Sequence, residues 1–267
     1  MTYQRYVALG DSQTEGLGDW DELAGYRGWA DRLADQLAET NPGLQYANLA
    51  VRGLGTAQIR AGQLAPALAL QPDIATVLGG MNDLIRPGFR AAEVVAELEE
   101  MFAALTAAGA VVATVTLPDI GKIAPIAKRL RPRVIDFNAR LTAAAHRHGV
   151  LVADCYPYDF ATDSRMWSAD RLHASPLGHA RIAAAMSQAF GLPGSDDSWT
   201  LPLDPQARLK PWQAARTELT WLGGFLAPWA YRRLRGRSTG DGRTAKRPQL
   251  TPVAVQAPAG DGPSGQG

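Results

Sequence analysis

The sequence Tyr3-Gln-Arg-Tyr-Val-Ala-Leu-Gly-Asp-Ser-Gln-Thr-Glu-Gly16 joins a short apolar run to a turn that glycines flank. The run Tyr3–Leu9 is the length of a buried strand, and turn residues follow it at once. Runs of the same kind recur at four further places along the chain, namely Leu44–Val51, Ile74–Leu78, Ala110–Leu117 and Val150–Asp154. The chain is therefore predicted to contain five short strands.

The segments between these runs have helical periodicity. Trp29, Leu33 and Leu37 fall at four-residue steps and would stripe one face of a helix. Ser175 and Pro176 are typical of an N-cap and a first helical position. Strands that alternate with helices predict an α/β fold of three layers, α/β/α, around a parallel five-stranded sheet. In such a sheet the ligand crevice lies beyond the carboxyl ends of the strands, so the residues after each strand are the functional candidates.

The charge is divided unevenly along the 267 residues. The formal net charge is +1, yet residues 1–200 carry 17 basic and 22 acidic side chains, whereas residues 201–250 carry 10 and 3. A nucleic-acid-binding domain would need a basic face on the folded body itself. The acidic body therefore argues against nucleic acid as a partner.

Cysteine content and the N-terminus bear on location. A single cysteine, Cys155, excludes an intramolecular disulfide and a cysteine-rich metal site. The first nine residues lead straight into a strand pattern without the features of a signal peptide. No window reaches the roughly 18 apolar residues that span a bilayer. We therefore expect a cytoplasmic protein.

Three strand ends carry candidate functional residues. Ser12 follows the first run, where a turn can present its hydroxyl to the crevice. Gly53 follows the second run, where a backbone N–H can approach a developing oxyanion, and Asn82 follows the third with a neutral side-chain donor. Each motif alone is also typical of an ordinary turn or helix start.

A fourth candidate motif follows the fifth run. Asp170 and His173 are three residues apart, so in a helical turn the carboxylate can reach the imidazole. That contact would fix the tautomer of a histidine that takes a proton from a serine. A surface turn with an incidental ion pair is the alternative for this spacing alone. The four motifs together, on one sheet, favour a shared site.

These four blocks, in this order over residues 5–190, resemble the SGNH, or GDSL-like, hydrolase family. The resemblance implies a flavodoxin-like sheet and a triad of Ser12 as nucleophile with Asp170 and His173. It also implies an oxyanion hole formed by the N–H groups of Ser12 and Gly53 and the side chain of Asn82. One departure is Gln13, where the family name has leucine; that position performs no chemistry. No cofactor and no metal are expected.

The resemblance predicts a serine hydrolase that cleaves acyl esters of small molecules. A deacetylase, a thioesterase or a lysophospholipase would use the same site, and a non-catalytic ligand-binding α/β domain is the alternative from another class. In that last case the serine, histidine and aspartate would lie apart in the structure.

Three other residues compete for functional roles. His179 lies in the Pro176–Phe190 helical pattern, and no carboxylate is spaced to orient it, so we interpret it as structural. Asp83 is assigned to a turn rather than to a metal, because no ligand cluster accompanies it. Cys155 is interpreted as a small buried hydrophobe.

We divide the chain into a catalytic domain over residues 1–191, a Pro/Trp-rich linker with a basic amphipathic helical extension over 192–235, and a disordered tail over 236–267. Residues 212–237 combine tryptophans with arginines. They are interpreted as a helix packed on the catalytic domain, partly over the crevice, with peripheral membrane contact as the alternative.

Overall fold

The computed structural model describes residues 3–22, 25–205, 210–228 and 240–254. Within them the chain forms eight strands: β1 (Arg5–Leu9), β2 (Trp20–Asp21), β3 (Gly25–Tyr26), β4 (Gln45–Asn48), β5 (Ile74–Val77), β6 (Val111–Val115), β7 (Leu151–Ala153) and β8 (Arg247–Pro252). The described α-helices are α1 (Ser12–Glu15), α2 (Trp29–Thr40), α3 (Thr56–Ala69), α4 (Met81–Leu84), α5 (Ala91–Ala107), α6 (Ile120–Ile123), α7 (Arg131–Arg147), α8 (Pro176–Ala189) and α9 (Pro211–Trp221). Short 3₁₀ turns lie at Pro125–Leu130, Asp159–Thr162, Ser164–Met166 and Ser198–Thr200, and Leu222–Leu226 forms a π turn. No helix of this described part is long and apolar enough to cross a membrane.

The main sheet has the strand order β7-β6-β5-β1-β4-β8, and its first five strands are parallel. This order of the parallel strands is the flavodoxin-like one. The strand order reverses at β1, whose neighbours are β4 and β5, and Ser12, Gly53 and Asn82 all follow these three strands. The predicted three-layer α/β/α architecture is confirmed.

Alternate residues of β1 enter opposite halves of the core. Tyr6 and Ala8 lie in the cluster that contains α2 and α8, whereas Val7 and Leu9 lie in the cluster that contains α3, α5 and α7. A strand points successive side chains to opposite faces, so a strand covered on both faces is apolar throughout. This explains why the residues of the five parallel strands are mostly apolar or β-branched.

The helix signals also correspond to structure. Trp29, Leu33 and Leu37 are fully buried along α2. Ser175 caps α8, and its hydroxyl accepts a hydrogen bond of 3.2 Å from the N–H of Gly178. The predicted helical face and the predicted cap are therefore both present.

The number of strands and the extent of the disordered tail require correction. Arg247–Pro252, predicted to be disordered, forms β8 and pairs antiparallel with β4 as a sixth strand. The Arg247 guanidinium lies 4.9 Å from the ring centre of Tyr46, and the Lys246 ammonium contacts Asp31 at 2.6 Å. The backbone N–H and C=O groups at the edge of β4 need hydrogen-bond partners, and β8 supplies them. The composition of the tail does not indicate this pairing. Residues 236–239 and 255–267 of the predicted tail lie outside the described residues.

Candidate active site

The turn after β1 fixes Ser12 at the first position of α1. Asp11 caps this short helix, and its Oδ1 accepts from the N–H of Gln13 at 3.1 Å. The buried side chain of Gln63 from α3 holds the preceding Gly10 on both sides, accepting from its N–H at 2.8 Å and donating to its carbonyl at 2.9 Å. The serine backbone is thus held by two elements of the domain.

Ser12, His173 and Asp170 form one continuous chain of hydrogen bonds. Ser12 Oγ lies 3.0 Å from His173 Nε2, and His173 Nδ1 lies 2.6 Å from Asp170 Oδ2. Because the carboxylate accepts from Nδ1–H, Nε2 is the acceptor for the serine hydroxyl. The structure therefore brings together the three residues that the blocks single out, from positions 161 residues apart.

Asp170 is held as an anion. Its Oδ1 accepts from the hydroxyl of Ser168 at 2.6 Å and from the N–H groups of Leu172 and His173 at 2.9 and 3.0 Å. Burial raises its pKa, but the hydrogen bonds and the charge of His173 outweigh burial and hold the pKa well below its usual range. The carboxylate can therefore orient and stabilise an imidazolium.

Gln13 is a residue whose role the sequence did not reveal. Its side chain donates to the carbonyl of Leu172 at 2.8 Å and accepts from the N–H of Ala174 at 3.1 Å. It thereby forms hydrogen bonds with the backbone on both sides of His173. The position was expected to perform no chemistry, and the contacts assign it to positioning; a glutamine after the serine was the available signal.

Gly53 lies in a loop that a buried ion pair ties to α1. The carboxylate of Glu15 accepts from the guanidinium of Arg52 and, at 2.8 Å, from the N–H of Arg52. Gly53 itself has a φ of +79°, in the left-handed region that favours glycine. The loop therefore places its backbone at the cavity that also contains Ser12.

Asn82 lies at the same cavity, in the second position of α4. Its Nδ2 donates to Asp11 Oδ2 and to the carbonyl of Leu54, both at 3.0 Å. Since both partners are acceptors, they fix which end of the amide is the nitrogen. Burial raises the pKa of Asp11 to about 6, against the opposing effects of Gln13 and His173.

The turn before Asn82 needs a glycine. Gly80 has a φ of +104°, and a Cβ there would lie 2.4 Å from the Phe137 ring. Any larger residue would displace either the Asn82 turn or the side chain from α7. The glycine of this block thus has a packing reason as well as a conformational one.

A cavity of about 390 Å³ opens beside Ser12 and His173. Its walls are mainly apolar and include Trp221, Phe225 and Leu226 of the C-terminal segment. A smaller cavity of about 70 Å³ shares Met81 and Trp167 with it and extends toward Cys155. Both cavities lie at the carboxyl ends of the parallel strands, where a ligand crevice was predicted.

His179 and Asp83, two of the residues that competed for functional roles, make hydrogen bonds that hold the fold together. His179 is fully buried, accepts from the N–H of Trp29 at 3.1 Å and donates from Nε2 to the Leu17 carbonyl at 2.9 Å. Burial lowers its pKa to about 4, so it is neutral near pH 7. Asp83 accepts from the N–H and the hydroxyl of Thr56, each at 2.8 Å, at the start of α3. Burial raises the pKa of Cys155 to about 12.

The described residues contain no group of three or more histidine, cysteine or acidic side chains that could hold a metal ion. This observation concerns protein ligands in the described ranges alone.

Residues 8–181 match the model of the GDSL-like lipase/acylhydrolase family. Among solved structures, TesA is 23% identical, with a TM-score of 0.58 over 70% of this chain and 98% of that one. A lipase/acylhydrolase from Enterococcus faecalis is 21% identical, with a TM-score of 0.57 over 69% and 94%. An acetyl xylan esterase from Geobacillus stearothermophilus is 18% identical, with a TM-score of 0.59 over 72% and 96%. None of the curated protein sequences is significantly similar to the chain.

Proposed function

Because the chain belongs to the GDSL-like lipase/acylhydrolase family, and is thus a carboxylester hydrolase, we propose that it cleaves acyl esters with Ser12 as nucleophile. The observation that carries this proposal is the unbroken path from Ser12 Oγ through His173 to Asp170, with separations of 3.0 and 2.6 Å. A nucleophile, a base and a residue that orients the base are the parts that acyl transfer through serine requires.

The reaction proceeds in two steps. His173 Nε2 takes the hydroxyl proton as Ser12 Oγ attacks the ester carbonyl, and the protonated imidazole then gives that proton to the departing alcohol. In the second step His173 removes a proton from water, whose oxygen attacks the acyl-serine. The tetrahedral intermediate collapses to release the carboxylic acid, and the proton returns to Ser12. The Asp170 carboxylate stabilises the imidazolium in both steps.

The oxyanion is assigned to the N–H groups of Ser12 and Gly53 and to Asn82 Nδ2. The Asn82 amide already donates to Asp11 and Leu54, so it is held in a fixed orientation before substrate arrives. Preorganised donors stabilise developing charge without reorganising during the reaction. Both N–H groups of the Asn82 side chain already have acceptors, so the oxyanion would accept a bifurcated hydrogen bond that one of these N–H groups shares with its present acceptor.

Fluorophosphonate labelling tests the proposal. The wild-type protein should be labelled at one serine and should hydrolyse p-nitrophenyl acetate, whereas Ser12→Ala should lose both properties. Ser198→Ala is the matched control for labelling, because Ser198 is exposed and does not line the cavity that contains Ser12. Labelling that persists in Ser12→Ala would refute the assignment of the nucleophile.

Thioesters, acetylated sugars and lysophospholipids are second candidates because their acyl groups can react at the same serine. The apolar walls of the large cavity favour substrates with hydrocarbon over acetylated sugars. A panel of esters and thioesters of matched acyl groups separates these activities. A non-catalytic ligand-binding domain would not need His173 aligned with both Ser12 and Asp170.

A further inference from the structure

The C-terminal segment Trp221–Leu226 lies outside residues 8–181, the part of the chain that matches the family. It nevertheless contributes Trp221, Phe225 and Leu226 to the cavity that contains Ser12 and His173. The π turn Leu222–Leu226 continues directly from α9. One wall of the candidate active site is therefore an addition to the family domain.

Three contacts fix this wall to the loop that carries Asp170 and His173. Trp221 is buried, and its indole N–H donates to the carbonyl of Asp170 at 2.9 Å. Arg171 pairs with Glu218 of α9 at 2.8 Å, and its guanidinium lies 4.9 Å from the ring centre of Trp221. Arg171 also has a φ of +56°, in the left-handed region that non-glycine residues rarely adopt. The wall is thus docked at the reacting residues.

The rest of the apolar lining comes largely from α6 and the 3₁₀ turn after it. These elements contribute Ile120, Ile123, Ile126, Ala127 and Leu130. At the cavity, Ile126 is 63% exposed and Phe225 is 41% exposed. Covering large exposed apolar side chains with a hydrocarbon removes apolar surface from water, which favours the binding of that hydrocarbon.

The two cavities differ in what they can hold. The volume of about 390 Å³ falls within the range of small-molecule sites, whereas about 70 Å³ accommodates only a few atoms. A long chain attached to an ester at Ser12 therefore fits the larger cavity, which the C-terminal segment helps to enclose.

We propose that Trp221–Leu226 is a specificity-determining wall that selects esters carrying an extended alkyl chain. This inference rests on the proposed function, because it places the ester at Ser12. The alkyl chain can belong to the acyl part or to the alcohol part of the ester. In either position it contacts Phe225 and Leu226.

The experiment compares the double variant Phe225→Ala/Leu226→Ala with wild type and with Leu219→Ala. Leu219 lies on α9, is 69% exposed and does not line the cavity, so it is the matched control. One series of substrates extends the acyl chain from p-nitrophenyl acetate to p-nitrophenyl octanoate. A second series extends the alcohol from methyl acetate to octyl acetate.

In wild type, kcat/KM should rise with chain length in at least one series. In the double variant the ratio of kcat/KM for the longest ester to that for the shortest should fall about tenfold or more, because apolar contact with the chain is lost. Leu219→Ala should keep the wild-type ratio. An unchanged ratio in the double variant, or an equal fall in Leu219→Ala, would overturn the inference.

Fluorophosphonate labelling distinguishes a failure of this inference from a failure of the proposed function. If the double variant is labelled at Ser12 but its chain-length ratio is that of wild type, the specificity role of Trp221–Leu226 is refuted and the proposed hydrolase function is retained. If Ser12→Ala retains esterase activity, the proposed function itself is refuted. Thermal unfolding of each variant verifies that the compared proteins are folded.

Discussion

Gln13 illustrates how one side chain can control the base of this site without touching a reacting atom. Its amide bonds to Leu172 and Ala174, the two neighbours of His173. Leucine at this position would leave that carbonyl and that N–H without their side-chain partner. A displacement of the imidazole by about 1 Å can lower the reaction rate roughly 100-fold, because the proton transfer needs an aligned acceptor.

We predict that Gln13→Leu lowers kcat and the rate of fluorophosphonate labelling about tenfold or more, with a smaller change in KM. Gln13→Glu, which keeps an acceptor for the Ala174 N–H, should fall between the two. The labelling rate is measured by quenching the reaction at a series of times, and kcat and KM are measured by steady-state kinetics with p-nitrophenyl acetate. Labelling of Gln13→Leu at the wild-type rate would show that the two hydrogen bonds do not position His173.

At the residue scale, sequence can single out only candidates whose signal is local. Ser12, Gly53, Asn82 and the Asp170/His173 pair could be singled out because each lies in a short motif after a strand. The role of Gln13 depends on backbone atoms 159 and 161 residues away. The acceptors of Asn82 likewise depend on how two loops meet. Such partners are set by tertiary structure and have no local pattern.

At the scale of elements, His179 connects α8 to the start of α2. It is neutral in the fold because burial lowers its pKa from 6.5 to about 4. Between these two pH values the unfolded chain binds a proton at this residue and the folded chain does not. The stability that His179 contributes is therefore complete above pH 6.5 and is lost as the pH falls toward 4.

We predict that wild type loses up to roughly 3 kcal/mol between pH 7 and pH 4 relative to His179→Gln, which cannot ionise. Urea unfolding of both proteins at several pH values in this range measures the difference. Other titrating groups cancel in the comparison, because both proteins contain them. Parallel pH dependences would contradict a buried neutral histidine.

The strands differ in how far their own residues determine them. The five parallel strands are mostly apolar because both of their faces are covered, so their positions could be predicted. β4 is shorter than the run Leu44–Val51 and contains the polar residues Gln45 and Asn48. β8 has no such signal, since Arg247–Pro252 is a polar and proline-containing segment. It becomes a strand because β4 offers an edge. Predicting β8 requires the sheet order first.

At the scale of the whole molecule, the acidic body and the basic C-terminal region are connected by specific pairs. Glu218 of α9 pairs with Arg171 of the body, and Lys246 pairs with Asp31. Trp221 is buried, Trp212 and Leu219 are exposed, and residues 229–237 lie outside the described ranges, so the packing of residues 212–237 as a helix stays a prediction. Membrane contact through residues 212–237 stays a prediction, which sedimentation with anionic vesicles measures.

The C-terminal region should therefore contribute to the stability of the whole domain. Removal of residues 240–267 deletes β8, exposes the edge of β4 and leaves Asp31 without the ammonium of Lys246. It also removes Gly240, which lies so close to the Arg52 carbonyl that a Cβ there would be 2.0 Å away. Lost strand pairing and exposed apolar surface should lower the Tm by about 5 °C or more, since 1 kcal/mol corresponds to about 2–4 °C in a domain of this size.

A second truncation, which removes only residues 255–267, is the control for this prediction. It retains β8 with its register to Gln45, Tyr46 and Asn48, so it should unfold at the temperature of the full chain. Differential scanning calorimetry of the three proteins gives the comparison. Equal Tm values for the two truncations would mean that β8 adds nothing to the sheet. A loss confined to the longer truncation would make the C-terminal region part of the folded domain.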